Sequence, residues 1–173
     1  RGLSDAAVGE NRRRSGNSGE VRAFSRGYEF SNQGFLQPPP SPRWKELALG
    51  EGRLRVEENL PVALAQKRGV SVAVLGLAID SEEGISDSDL IADRIADLIL
   101  SGNSLEAIDE YVLWLGGRFV LIAGCEDQWR IHVDAMASRS CYWTVRNKQL
   151  FAASHSALVA REIEEFSRKR AYW

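Results

Sequence analysis

A chain of 173 residues with 44% hydrophobic content is the size of one domain able to bury a real core, and its 22 basic and 24 acidic side chains leave a net charge of −2. That balance supplies no global field for nucleic acid or an anionic membrane; no apolar run approaches the ~20 residues that span a bilayer, and the Arg-rich start lacks the apolar segment of a secretory signal. Cys125 and Cys141 are too few for a disulfide framework and stand at no metal-ligand spacing, so the expectation is a soluble cytoplasmic protein binding neither nucleic acid nor membrane.

With Met136 the only methionine, a chain starting at Arg1 is expected to be a processed product or a fragment. Residues 1–23 are rich in Arg, Ser, Gly and Asn, including Arg12-Arg13-Arg14, and read as a flexible basic arm preceding one domain over 24–173. Phe24, Tyr28, Phe30 and Phe35 then predict a short strand or hairpin. The run Pro38-Pro39-Pro40-Ser41-Pro42 removes backbone donors and predicts a surface connection before Trp44, Leu47 and Leu49 rejoin the core.

Arg53 to Glu57 alternates polar and apolar residues, which predicts a half-buried strand, and the nearly continuous apolar run Val70 to Ile79 predicts a buried central one. Ser86 with Asp89 approximates a capping box for a helix whose apolar face is Ile91, Ile95, Leu98 and Ile99. Asn103 with Glu106 predicts the cap of a second helix, carrying Ile108, Tyr111, Val112 and Leu115 and stopped by Gly116-Gly117. Four strands follow, over 118–123, 129–133, 140–145 and 150–153, read together as an antiparallel meander, with Cys125 in a turn and Cys141 inside a strand. Ser154 is expected to cap a last helix through Ala157, Leu158, Ile163 and Phe166, with Arg168-Lys169-Arg170 complementing the helix dipole.

Four segments of the C-terminal half carry a family resemblance. Leu115-Gly116-Gly117-Arg118-Phe119-Val120-Leu121-Ile122 resembles the "L-x-G-R/x-F-A/V-L/F" strand of class II glutamine amidotransferase domains in asparagine synthetases. Ile131-His132-Val133-Asp134-Ala135-Met136-Ala137-Ser138-Arg139 is similar to the strand end "(R)D-x-x-G-x-R/K", Cys141-Tyr142-Trp143 stands where that family has "P/S-L/V-Y-Y", and Leu150 to Leu158 resembles "x-F-A-S-E/H-x-x-A/x-L". Upstream, Val74 to Asp80 occupies the place of "N-G-E-I-x-N", and Ser86-Asp87-Ser88-Asp89 that of "S-D-T-E".

The resemblance implies an α+β fold, the N-terminal-nucleophile hydrolase αββα sandwich of two mainly antiparallel sheets. It also implies a chemistry: a cysteine at residue one attacks the glutamine amide with its own α-amine as base, an asparagine and a glycine hold the oxyanion, and the "S-D" aspartate holds the substrate ammonium. Here residue one is arginine, and Leu75 and Gly76 stand at the oxyanion place. The pocket positions carried over are Gly76, Asp87, Gly117, Arg118, Asp134 and Arg139, with no catalytic residue and no metal ligand among them. Asp87 serves equally as a helix-capping acid, Asp134 and Arg139 as an ion pair across a turn, and Gly116 and Gly117 as backbone permits.

The expectation is a degenerate, non-catalytic domain with no cofactor of its own, beside a synthetase domain, in cis or in trans, that uses ATP and Mg. Oligomerisation stays open. Ser101-Gly102-Asn103-Ser104 echoes the synthetase loop "S-G-G-x-D-S" but lacks the second glycine and the aspartate, and reads as a turn between helices. Two alternatives stand beside this: an active glutaminase whose cysteine lies outside the given sequence, and a stand-alone interaction domain using the arm and the proline run.

Overall fold

The computed structural model describes residues 24–170. The arm expected over 1–23 lies outside the described residues, as do the side chains of Phe166 and of the cluster Arg168-Lys169-Arg170. Strands β1 (Tyr28–Ser31), β2 (Trp44–Leu49), β3 (Gly52–Glu57), β4 (Val62–Lys67) and β5 (Val70–Asp80) lead into helix α1 (Ser88–Gly102). A 3₁₀ turn over Leu105–Ile108 runs into the short α2 (Asp109–Val112), followed by β6 (Leu115–Cys125), β7 (Gln128–Val133), β8 (Tyr142–Arg146), β9 (Gln149–Ala153) and α3 (Ser156–Arg170).

The strands form two sheets, one ordered β2-β3-β1-β9-β8 and the other β4-β5-β6-β7, with antiparallel pairing throughout. Three apolar clusters set the layers. Val72, Val74 and Ala78 of β5 and Phe119 and Leu121 of β6 pack on Ile91, Ile95 and Ile99 of α1 and on Ile108 and Tyr111 beyond it. Ala73 and Leu75 of β5 and Val120 and Ile122 of β6 face the opposite way, onto Tyr28, Phe30, Leu54 and Val56 of the other sheet. Trp44, Phe151 and Ala153 meet Leu158 and Val159 of α3 on that sheet's far side. Because alternate strand residues point to opposite faces, the unbroken apolar run of β5 buries both of its faces. The result is an α+β sandwich, helix on sheet on sheet on helix.

Several local expectations are corrected. The cap of α1 is Asp87, one residue beyond Ser86, its carboxylate accepting from Asp89 N at 2.9 Å. Asn103 closes α1 in a left-handed conformation, and Ser104 caps the 3₁₀ turn, so the predicted second helix is a tight turn plus four helical residues. The four C-terminal strands are not one meander: β6 and β7 pair in one sheet, β8 and β9 in the other, and residues 134–141 carry the chain across. Cys125 is the last residue of β6, whereas Cys141 precedes β8.

The strand over 53–57 is buried beyond its apolar face. Arg55 and Glu57 are covered, with Arg55 bonded to Glu46 at 2.8 Å and to the Gln37 carbonyl at 2.7 Å, its guanidinium 3.9 Å from the Phe35 ring centre. The hydroxyl of Ser154 serves β1 by accepting from Tyr28 N at 3.0 Å. Pro38 and Pro39 are exposed in a connection without strand structure, as expected.

One feature of the second sheet positions the candidate site. Strands β5 and β6 pair over eleven residues, but β4 pairs with β5 only from Val70 to Leu75, and β7 with β6 only from Val120 to Cys125. The remaining pairs, from Gly76 with Phe119 to Asp80 with Leu115, project as a two-stranded tongue. Ala78, Phe119 and Leu115 attach its helical face to α1 and Tyr111, and Asp80 accepts from the Tyr111 hydroxyl at 2.7 Å. Its other face carries Leu77, Ile79, Gly116 and Arg118, and stays exposed.

Candidate functional site

The root of the tongue gathers most of the residues singled out in the sequence. Gly76 and Gly117 both have φ near +110°, at 108° and 110°, a region that disfavours any side chain. A β-carbon at Gly117 would lie 2.3 Å from the Leu77 carbonyl oxygen, and one at Gly76 equally close to that of Arg118. Gly116 needs no such freedom, because the nearest atom to a β-carbon there is the Ile79 carbonyl oxygen at 3.9 Å.

Arg139 stands directly over Gly76, its Nε 3.0 Å and its Nη2 3.2 Å from the place a β-carbon would take. Its Nη1 donates to the Arg26 carbonyl at 3.2 Å, while its Nε is buried without a hydrogen-bond partner. Beside it, Arg118 donates from Nε to the Ser138 carbonyl at 3.1 Å. Among the described residues no carboxylate lies within ion-pair distance of Arg26, Arg118 or Arg139. Burial, then the like charges of Arg118 and Arg26, hold the Arg139 guanidinium below its ordinary pKa.

Asp134 does not pair with the Arg139 side chain, contrary to expectation. Its carboxylate organises the crossing loop by accepting from Ser138 N at 3.0 Å, Ser138 Oγ at 2.9 Å, Met136 N at 3.2 Å and Arg139 N at 3.2 Å. Burial alone would raise its pKa, but these donors hold it below the usual carboxylate value. Asp134 thus fixes the backbone from which Arg139 reaches Gly76. Asp87 sits apart from this cluster at the start of α1.

Leu75 and Gly76, at the place the resemblance assigns to oxyanion donors, offer no free donor there. Leu75 is fully buried between the sheets, and the Gly76 N–H already donates to the Pro61 carbonyl at 2.8 Å. Before β1, residues 24–27 form a turn tied to the fold: Gly27 N donates to the Phe24 carbonyl at 3.0 Å, Arg26 N to Glu57 at 3.1 Å, and Glu57 N to the Gly27 carbonyl at 2.9 Å. The thiols lie elsewhere. Cys141 meets the Tyr28 hydroxyl, and burial raises its pKa, so a thiolate is disfavoured. Cys125 lies at the opposite end of β6 from the tongue.

Both histidines lack a catalytic setting. His132 on β7 faces Asp109 at 3.6 Å, but burial first, and Arg130 after it, depress its pKa, while Asp109 is engaged by Arg130. His155 pairs its Nδ1 with Ser154 Oγ at 2.8 Å. Among the described residues no group of His, Cys, Asp and Glu could hold a metal ion. Nor is any helix among them long and apolar enough to cross a membrane.

Sequence reading missed Arg26 as a member of this cluster. The only available signal was its place just before the first strand, where a nucleophile would stand in the amidotransferase pattern. No model of a known protein family matches the chain, and a search of curated proteins finds none that matches. What the geometry defines is a class: an antiparallel α+β sandwich with an arginine-lined, thiol-free cluster at the root of an overhanging strand pair.

Proposed function

We propose that this chain is a non-catalytic glutamine-amidotransferase-like domain of the N-terminal-nucleophile hydrolase type. Its role is to pack against an ATP- and Mg-dependent amide-forming domain of the asparagine-synthetase kind, on the same polypeptide or another subunit, in the cytoplasm. The layered α+β sandwich supports the fold half of this reading. One observation carries the functional half: the position that would hold the oxyanion has a buried leucine and a glycine N–H already bonded to Pro61, under the guanidinium of Arg139.

An oxyanion donor contributes about 2.7–4 kcal/mol to an acyl-transfer transition state, so lacking two lowers turnover by about 10⁴-fold or more even if a nucleophile were supplied. The turn over 24–27 argues against that supply, since the backbone before β1 is hydrogen-bonded into the sheet. The test is ammonia release from glutamine by the purified chain. The expected result is no turnover above buffer; saturable glutamine hydrolysis would overturn the reading in favour of an active glutaminase. For the partner half, a strand followed by "S-G-G-x-D-S" is expected in the adjoining coding sequence or a neighbouring gene.

A further inference from the structure

The tongue formed by Gly76–Asp80 and Leu115–Phe119 has one dressed face and one bare one. On the bare face Leu77 is 52% and Ile79 37% exposed, and Trp114, at the tip, is 51% exposed. Leu77 and Arg118 are a cross-strand pair, as are Ile79 and Gly116, so two aliphatic side chains lie beside a glycine floor and a guanidinium. At the root stand Arg139, with its buried and unpartnered Nε, and Arg26. A chain of net charge −2 has acidic side chains to spare, yet among the described residues none forms an ion pair with these three arginines. By contrast, Arg55 on β3 and Arg161 on α3, both beside the buried Glu29, are paired with carboxylates. Apolar side chains exposed beside unpaired arginines fit a polypeptide partner bearing the complementary features, aliphatic residues and carboxylates.

We propose that the bare face of the tongue, comprising Leu77, Ile79, Gly116, Arg118 and Arg139, is a docking surface for an extended partner segment that carries aliphatic and acidic residues on one side, two positions apart. The aliphatic side chains lie on Leu77 and Ile79, across the open floor at Gly116. A carboxylate bonds Arg118 and Arg139, replacing mutual repulsion with charge-assisted hydrogen bonds. Residues two apart in an extended segment point to the same side, so aliphatic and acidic residues at alternate positions, separated by small polar ones, present both kinds of side chain to this one face. The inference goes beyond the proposed function and stands without it, since the chemistry of this surface is the same whether or not the domain hydrolyses glutamine.

The experiment titrates the whole chain with the capped heptapeptide Leu-Thr-Glu-Thr-Leu-Thr-Glu, following backbone amide and arginine Nε–H resonances by NMR. Two control peptides replace its Glu residues by Gln or its Leu residues by Ser. The expected result is saturable shifts at Leu77, Gly116, Arg118 and Arg139, with either control, or the Arg118→Glu protein, binding about tenfold more weakly or less. Leu77→Ser gives the same readout should Arg118→Glu disturb the fold, which the amide spectrum reports. Three results would overturn the proposal: no saturation, equal binding by the Ser-containing peptide, or shifts at these residues on raising protein concentration alone, which would assign the face to a second copy of the chain. Because ammonia release is measured separately, failure of either idea leaves the other intact.

Discussion

Gly116 and Gly117 are neighbours in sequence with opposite demands. Gly117 holds φ at 110° with the Leu77 carbonyl oxygen 2.3 Å from where a β-carbon would sit, whereas a β-carbon at Gly116 would meet only the Ile79 carbonyl oxygen, at an ordinary 3.9 Å. Gly117→Ala is therefore expected to destabilise the domain by about 1–3 kcal/mol, and Gly116→Ala to change stability by less than about 0.5 kcal/mol. Urea unfolding of the two variants compares them directly. The sequence reading assigned both glycines a backbone role; only one has it, because dihedral angle depends on pairing that residue type does not encode. Asp134 and Arg139 teach a related point. The family resemblance suggested a pair of side chains, but the carboxylate has four donors within its own loop, and backbone N–H groups close at hand capture it before a guanidinium can.

Helix α1 illustrates what local chemistry achieves at the scale of an element. Ile91, Ile95 and Ile99 form its buried face at helical spacing, Asp87 caps its start, and Asn103 in a left-handed conformation ends it. Asp87→Ala is expected to lower stability by about 1 kcal/mol through the lost bond to Asp89 N, read as a drop in melting temperature. The change should leave the Leu-Thr-Glu-Thr-Leu-Thr-Glu titration unaltered, since Asp87 lies apart from the arginines. Element identity was legible here because the signal is local. The partnership of β6 with β7 and of β8 with β9 was not: four strands in succession carry the same alternation whether they form one sheet or two. The choice is made by a crossing loop whose geometry depends on Asp134.

The joint between sheet and outer helix rests on a buried charge at the scale of the whole molecule. Glu29 is 1% exposed; it accepts from Arg161 of α3 at 2.8 Å and lies 3.7 Å from Arg55. Burial raises its pKa, and the two arginines oppose that rise. Arg161→Met should therefore destabilise the fold by about 3 kcal/mol near neutral pH by stranding a carboxylate. A folded-state pKa above the unfolded value means the folded protein holds the proton more tightly, so this group's contribution is full below about 4.3, the unfolded glutamate value, and is lost as pH rises through the folded pKa. The deficit of Arg161→Met should accordingly shrink on acidification, and Glu29→Gln in the same protein should remove most of its pH dependence. Unfolding curves from pH 7 down to pH 5 check both.

Residue order alone specified the α+β composition, the central buried strand and the faces of the main helices, because each depends on periodicity or on side-chain chemistry within a few positions. Tertiary structure alone decided that the strands divide into two stacked sheets, that β5 and β6 outrun their neighbours, and that Arg26, Arg118 and Arg139 converge from distant segments on Gly76. Those outcomes are long-range. They follow from which faces must be buried together and where a short neighbouring strand leaves a longer pair uncovered, and a one-dimensional pattern does not record either.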